Sequence, residues 1–397
     1  MMNQTLVNTK TSHQFIPYAT QSIDDDDIDA VVKTLKSTFL TTGPKVAEFE
    51  EAIKEVTGAK YAVTVNSGTA ALHAACYAAG ISSADEVITT PITFAATCNC
   101  VLYFGGKPVF CDIDPNTWNI DPDKIEDLIT SKTKAIIPVH YTGQPCEMEK
   151  IRKIAKKHNL IVIEDAAHAL GASYRDMPIG SISDMTCFSF HAVKHITTGE
   201  GGCVTTNRED IYKKLQLFRS HGITKDSEQF QANEDLPEPW YYEQQFLGFN
   251  YRLTDIQAAL GVSQIKKLPA FIERREEIAA AYFEAFSPLA ELGKMTLPTI
   301  LKHAVHAWHI FVIKVNPEQR SQIFQSLIEK GLGVNLHYIP VYLHPYYQRL
   351  GYQKGLCPEA EALFESIITL PLFPKMTESE IAYVIDCVIQ SIEACDI

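Results

Sequence analysis

From residue 61 to residue 206, short apolar runs alternate with amphipathic stretches of helical period. Tyr61-Ala62-Val63-Thr64-Val65 has the length and β-branched content of a buried strand, and 69–79 follows as a helix ended by Gly80. The pattern then repeats, with strand 86–90, helix 94–104 closed by Gly105-Gly106, and strands 108–110 and 135–139. Helix 146–158 leads into strand 160–163, and 185–190 and 203–206 are two further strand-like runs. Strands that alternate with helices predict an α/β fold built on a mainly parallel sheet with helices on both faces. Functional groups in such folds sit at the carboxyl ends of the strands.

Outside that block the pattern changes. Residues 1–24 read as an extended arm. The acidic run Asp24-Asp25-Asp26-Asp27 opens a helix through Val31, Val32 and Leu35, where negative side chains face the positive end of the helix dipole. A long helical stretch starts near Thr254, and Pro269 kinks or interrupts it. From about 275, strands (310–315, 334–337) alternate with helices (319–330, 358–368), as in a smaller α+β unit. The expected division is an N-terminal arm (1–24), a large domain (25–270) and a small C-terminal domain (271–397). The Glu-rich segment 225–243 reads as a mobile loop whose end is anchored by Trp240-Tyr241-Tyr242.

Bulk composition narrows the partners. With 397 residues, 46% of them hydrophobic, the chain has enough apolar surface for two cores. A formal charge of −13 argues against sequence-independent nucleic-acid binding, which needs a basic surface. No apolar run approaches a membrane span, and the first residues lack the basic and apolar regions of a signal peptide. The ten cysteines, several of them inside apolar runs (Cys76, Cys187, Cys203, Cys387), read as buried thiols in a reducing cytoplasm. Cys98 and Cys100 lack the spacing of a zinc pair, so no metal is expected.

The candidate chemistry begins with Lys194, on a short loop between two strand-like runs and ahead of Gly199-Glu200-Gly201-Gly202. Twenty-nine positions upstream, Asp165 closes the strand run that starts at Leu160. An amine and a carboxylate at one sheet edge are what pyridoxal 5′-phosphate (PLP) requires. The amine forms a Schiff base, and the carboxylate keeps the pyridine nitrogen protonated. Ser67-Gly68-Thr69 follows a strand and opens a helix, where unpaired N–H groups and hydroxyls make either a phosphate seat or an ordinary cap. The segment is neither G-x-G-x-x-G nor a P-loop, which disfavours NAD and ATP. Phe94 either stacks on a flat ring or is a buried staple. His168 bonds the ring's 3-oxygen, orients Asp165, or is a satisfied core histidine. Ser189 faces a phosphate oxygen or is a plain sheet residue.

These pieces fall in one order along the chain. After Ser67-Gly68-Thr69 come Glu164-Asp165-Ala166-Ala167-His168, Ser189-Phe190-His191 with Lys194, and the glycine run at 199–202. Gly248-Phe249-Asn250-Tyr251-Arg252 and Gln257-Ala258-Ala259-Leu260-Gly261 then follow. The ordered set resembles the DegT/DnrJ/EryC1/StrS family of sugar aminotransferases, PLP enzymes of fold type I, over nearly the whole chain. The resemblance implies an aspartate-aminotransferase-like homodimer with shared active sites. Each subunit would have a large domain with a mostly parallel, seven-stranded-type sheet and a smaller C-terminal α+β domain. By the same resemblance, Lys194 is the Schiff-base lysine, Asp165 the pyridinium partner and His168 their catalytic neighbour. Ser67, Gly68, Thr69 and Ser189 surround the phosphate, Phe94 stacks, and Asn250 reaches in from the other subunit.

Within the family, four stretches resemble the transaminases of pseudaminic acid biosynthesis: Thr89-Thr90-Pro91-Ile92, Ile196-Thr197-Thr198, Phe218-Arg219-Ser220-His221-Gly222 and His337-Tyr338-Ile339-Pro340. That branch implies L-glutamate as donor and a UDP-linked 4-keto-6-deoxy amino sugar as acceptor, giving UDP-4-amino-4,6-dideoxy-N-acetyl-β-L-altrosamine. Tyr18, Thr38, Phe39, Leu40 and Thr41 match positions that contact the nucleotide sugar there, and Asn250, Arg252 and the 337–340 run complete the substrate set. His191, His195, Arg219 and Arg252 are candidates for offsetting diphosphate charge, with solvated surface positions as the alternative. Gly68 stands where some members carry alanine, a change expected to leave the chemistry alone. Other nucleotide-4-keto-sugar transaminases, including one acting on a UDP-pentose, share most of these motifs. A dehydratase of the family would carry histidine in place of Lys194. A regulatory PLP-binding protein and a nicotinamide dehydrogenase are the remaining alternatives.

Overall fold

The computed structural model describes residues 15–232 and 238–395. Most of the expected arm and the middle of the 225–243 loop lie outside them. Seven strands form one sheet: β1 (Tyr61–Val65), β2 (Glu86–Thr89), β3 (Lys107–Phe110), β4 (Thr133–Ile137), β5 (Ile161–Asp165), β6 (Met185–Ser189) and β7 (Gly202–Thr206). Their spatial order is β1-β7-β6-β5-β4-β2-β3. Both faces of the sheet are covered, which is why these strands read as nearly unbroken apolar runs. β7 runs antiparallel to both β1 and β6, and every other adjacent pair is parallel. It follows that β1 points the same way as β6, so the carboxyl ends of β1, β2, β5 and β6 share one edge. β7 starts at that same edge, with Gly202.

Helices α1 (Asp25–Leu35), α2 (Pro44–Thr57), α3 (Gly68–Ala78), α4 (Ala96–Leu102) and α5 (Met148–His158) accompany this sheet. The acidic run does cap α1. The Asp24 carboxylate accepts from the Asp27 N–H at 3.2 Å, and the Asp27 carboxylate accepts from the Asp24 N–H at 3.1 Å. α4 begins two residues later than the pattern predicts, which leaves Phe94 outside it. The long helical stretch is interrupted as expected, into α6 (Asp255–Ile265) and α7 (Leu268–Glu291), with Pro269 tolerated in the first turn of α7.

Beyond α7, β8 (Met295–Thr296), β9 (Phe311–Val315) and β10 (Ile367–Leu370) form an antiparallel sheet in that order. Tyr282 and Phe286 of α7 pack on Phe311 and Ile313 to make a second core. Two expectations are corrected here. Residues 334–337 form no strand, and Asn335 makes only an isolated bridge to Thr369. The helix expected at 358–368 stops at Ser366, and the next four residues become β10. Ser366 Oγ bonds back to Ala362 O and Leu363 O at 3.0 Å, while Ile367-Ile368-Thr369 ahead of Pro371 favours extended backbone. Of the three expected anchors at 240–242, Tyr241 packs its ring 5.1 Å from Phe230, whereas Trp240 and Tyr242 are exposed. All ten cysteines are free, and all but Cys395 are buried. Among the described residues no helix is long and apolar enough to cross a membrane.

Candidate active site

Three chain segments meet tightly at the shared edge. Ser67 caps α3, its Oγ accepting from the Ala70 N–H at 3.1 Å. A Cβ on Gly202 would lie 2.4 Å from Ser67 O and 2.9 Å from Gly68 N, so only glycine lets β7 pass beneath the start of α3. A Cβ on Gly68 would lie 2.8 Å from Ser189 Cβ. Ser67, Gly68, Thr69 and Ser189 are thus drawn together around the first turn of α3, whose leading N–H groups have no partners within the helix. Alanine at 68 would require Ser189 or the helix start to move.

Asp165, the last residue of β5, is 5% exposed. Its Oδ2 accepts from Thr97 Oγ1 at 2.7 Å and its Oδ1 from the Ala167 N–H at 3.1 Å. Burial raises its pKa, and the two hydrogen bonds and the charge of Lys194 oppose that shift. Among the described residues no lysine or arginine pairs with it, so this carboxylate is buried without a contacting cation. Its neighbour Glu164, by contrast, meets His140 Nε2 at 2.8 Å.

Lys194 lies in the β6–β7 loop, its N–H donating to His191 O at 2.9 Å. Its Nζ is 3.4 Å from His309 Nε2. Burial pulls the amine down to about 8, with Asp165 opposing and Arg275 adding to the shift. Arg275 is fully buried, and its Nη1 donates to Trp308 O and His309 O at 3.1 Å and to Leu372 O at 3.2 Å.

His168 Nε2 is 3.1 Å from Tyr338 Oη, and the His168 ring lies 4.3 Å from that of His309. Its Nδ1 is buried without a partner among the described residues, so it is not a satisfied core histidine. Phe94 is 63% exposed, with its ring 6.4 Å from that of Tyr338, which rules out the buried-staple reading. His337 Nδ1 is 2.9 Å from Thr369 Oγ1, its ring is 5.4 Å from that of Tyr18, and its carbonyl accepts from Tyr141 Oη. Pro340 is buried and Ile339 exposed on the same segment.

Other expected residues are held elsewhere. Thr38, Phe39, Leu40 and Thr41 are exposed, fixed by the bond from Asp255 N–H to Leu40 O (3.0 Å) and by pairing of Thr41 with Thr254. Asn250 is exposed and bridges to Ser220. No contact joins Asn250, Arg252 or the 38–41 run to Lys194 within the subunit. Two of the diphosphate candidates need correction. Arg219 is ion-paired with Glu50 and donates to Thr64 O at 2.8 Å, a structural tie between α2 and β1. His195 is 3% exposed and bonds Ala307 O at 3.0 Å, so it is neither solvated nor free for a ligand. Thr97, His309 and Arg275 join the site without a motif that marks them in the sequence. The only sequence trace of Thr97 is its i, i+4 spacing from Thr93, whose hydroxyl it meets at 2.7 Å.

The buried histidines set an acid limit on stability. Burial lowers His73 to about 4 and His306 and His337 to about 3, and pushes His168, His195 and His309 well below 6.5. The unfolded chain takes up these protons first, so stability is complete above about pH 6.5 and falls as pH drops. At pH 5, His73, His306 and His337 should each cost about 2 kcal/mol. Urea midpoints at pH 7.5 and pH 5 check this, and equal midpoints would contradict it.

An unpaired buried carboxylate, an amine near pKa 8, a glycine-lined helix start and an orphaned histidine nitrogen fit PLP, whose ring is cationic and whose phosphate is anionic. The profile of the DegT/DnrJ/EryC1/StrS aminotransferase family matches residues 21–389. The chain belongs to this family. Spore coat polysaccharide biosynthesis protein SpsC of Bacillus subtilis is 41% identical over 394 residues, covering 98% of this chain and 99% of SpsC. The putative sugar aminotransferase Spr1654 of Streptococcus pneumoniae, in its PMP form, superposes with a TM-score of 0.88 at 33% identity, covering 96% of this chain and 98% of that one. Helicobacter pylori PseC, an aminotransferase involved in the biosynthesis of pseudoaminic acid, does so with a TM-score of 0.87 at 34% identity, covering 96% and 100%. This DegT/DnrJ/EryC1/StrS protein is therefore a PLP-dependent sugar aminotransferase with the aminotransferase α/β fold. The nicotinamide dehydrogenase alternative falls away.

Proposed function

We propose that this aminotransferase moves the amino group of L-glutamate to C4 of a UDP-linked 4-keto-6-deoxy amino sugar. The product is UDP-4-amino-4,6-dideoxy-N-acetyl-β-L-altrosamine. The observation that carries the chemistry is the buried Asp165 carboxylate, unpaired, on the same sheet edge as the amine of Lys194. The substrate class rests on the full-length likeness to PseC and on the motif runs at 89–92, 196–198, 218–222 and 337–340.

PLP, when bound, supplies an electron sink for the carbanion formed at the donor's α-carbon. Lys194 takes up and returns the proton, and an amine near 8 keeps a usable neutral fraction near neutrality. Asp165, held by Thr97 and the Ala167 N–H, offers a fixed negative charge to the ring nitrogen. His168, whose Nδ1 has no partner among the described residues, completes the catalytic set. Ser67, Gly68, Thr69 and Ser189 would hold the phosphate, and Phe94 would stack on the ring. Tyr18, His337, Tyr338, Ile339 and Pro340 bind the nucleotide sugar from one subunit, and Asn250, Arg252 and the 38–41 run from the other. That arrangement makes a homodimer necessary, in keeping with the exposed apolar side chains of Ile28, Leu35, Phe39 and Leu40. The same reading divides the chain into an arm (1–24), a cofactor domain (25–270) and a small domain (271–397). It places the enzyme in the cytoplasm, where ten unpaired thiols stay reduced.

The test is a panel of UDP- and dTDP-linked 4-keto sugars with L-glutamate, with each product identified by NMR. The 4-keto-6-deoxy amino sugar should exceed the others in kcat/KM by about 10-fold or more, the value of one well-placed contact. Preference for a UDP-4-keto-pentose or a dTDP sugar would contradict the substrate assignment.

A further inference from the structure

His309 stands against the reacting amine, and none of the roles above uses it. Its Nε2 is 3.4 Å from Lys194 Nζ, and its ring lies 4.3 Å from that of His168 and 5.5 Å from that of His195. The side chain is 3% exposed. Its backbone is pinned on both sides, the N–H donating to Thr142 O at 2.9 Å and the carbonyl accepting from Arg275 Nη1 at 3.1 Å. Burying a guanidinium without a carboxylate costs free energy. What Arg275 secures in return is the main chain at Trp308 and His309, together with Leu372 O.

We propose that His309 is a positioning residue for Lys194: its Nε2 accepts a hydrogen bond from the amine and limits the directions in which the freed amine can point. This rests on Lys194 being the proton-transferring amine. A charged lysine can only donate, so Nε2 must be the acceptor and the imidazole proton must sit on Nδ1. His309 Nδ1 is buried with no partner among the described residues, so no second hydrogen bond favours the opposite tautomer. Asp165, Arg275, His168, His195 and His337 also face this space. Burial holds His309 far below its ordinary pKa while Lys194 stays near 8. The shared proton therefore resides on the lysine, and His309 orients the amine without becoming its base.

Long-range ¹H–¹⁵N spectra of histidine-labelled enzyme read the tautomer directly. They are recorded on enzyme held in the pyridoxamine phosphate form, where Lys194 is free, and assigned with His309→Gln. The expected result is a protonated Nδ1 and an unprotonated Nε2 whose resonance shifts in Lys194→Met. A protonated Nε2, or a resonance indifferent to Lys194→Met, overturns the proposal. In the half-reaction with α-deuterated glutamate, His309→Leu should lower kcat by about 10- to 100-fold, with KM for glutamate unchanged and a larger isotope effect. His309→Gln, which keeps an acceptor near the Nε2 position, should recover most of the rate. Wild-type kcat and isotope effect in His309→Leu would also overturn it. Should His309→Leu fail to fold, the wild-type spectra and the Gln variant still decide. Retained glutamate turnover in Lys194→Met would sink the lysine assignment itself, a failure separate from the tautomer result.

Discussion

Lys194→Ala is expected to abolish the half-reaction with L-glutamate, lowering its rate by about 10⁴-fold or more. The substitution removes both the point of covalent attachment and the group that moves the proton. It should leave the fold intact, because the loop is held by the main-chain bond from the Lys194 N–H to His191 O, which alanine keeps. Single-turnover absorbance with glutamate measures the loss, and near-UV circular dichroism checks the fold. The wild-type enzyme adds a sign. An amine pulled down to about 8 accepts a proton only when neutral, so the half-reaction should speed up as pH rises and level off above about 8. A Lys194→Ala enzyme with ordinary glutamate turnover would refute the assignment.

Asp165→Asn should be the second most damaging change, and its packing cost should be small. The introduced amide can keep its carbonyl oxygen on the Ala167 N–H and turn its own N–H toward Thr97 Oγ1, which can accept in place of donating. What disappears is the negative charge. Removing one partner of a buried ion pair costs about 3–5 kcal/mol, which corresponds to roughly 10²–10⁴-fold in rate. The loss should fall on kcat, with thermal stability close to that of the parent, because burial already disfavours the charged carboxyl before a cation is present. Wild-type kinetics in Asp165→Asn, or a collapse of the fold with no separate effect on rate, would count against its role.

The large sheet was legible because its strands are buried on both faces and so appear as short β-branched runs bounded by Gly, Pro and polar turns. From that alone Asp165 falls at a carboxyl end and Lys194 in the next loop, and their chemistry can be read before any contact is known. The small sheet was less legible. Segments 334–337 (alternating apolar and polar) and 367–370 (mostly apolar) are both short, and the second adjoins a helix with no glycine to mark the break. Thr97, His309 and Arg275 reach the site through contacts far apart in sequence, and beyond the Thr93–Thr97 spacing nothing local marks them. His195 and Arg219 misled for the complementary reason. Polar residues in polar segments read as facing a diphosphate or solvent, whereas Ala307 O and Glu50, their actual partners, are remote in the chain.

Reductive trapping tests the central claim most directly. Borohydride treatment of the PLP-loaded enzyme, followed by proteolysis and peptide mass spectrometry, locates the lysine that carries the cofactor. The phosphopyridoxyl group should be found on Lys194. Its appearance on another lysine, or on none, would contradict the assignment.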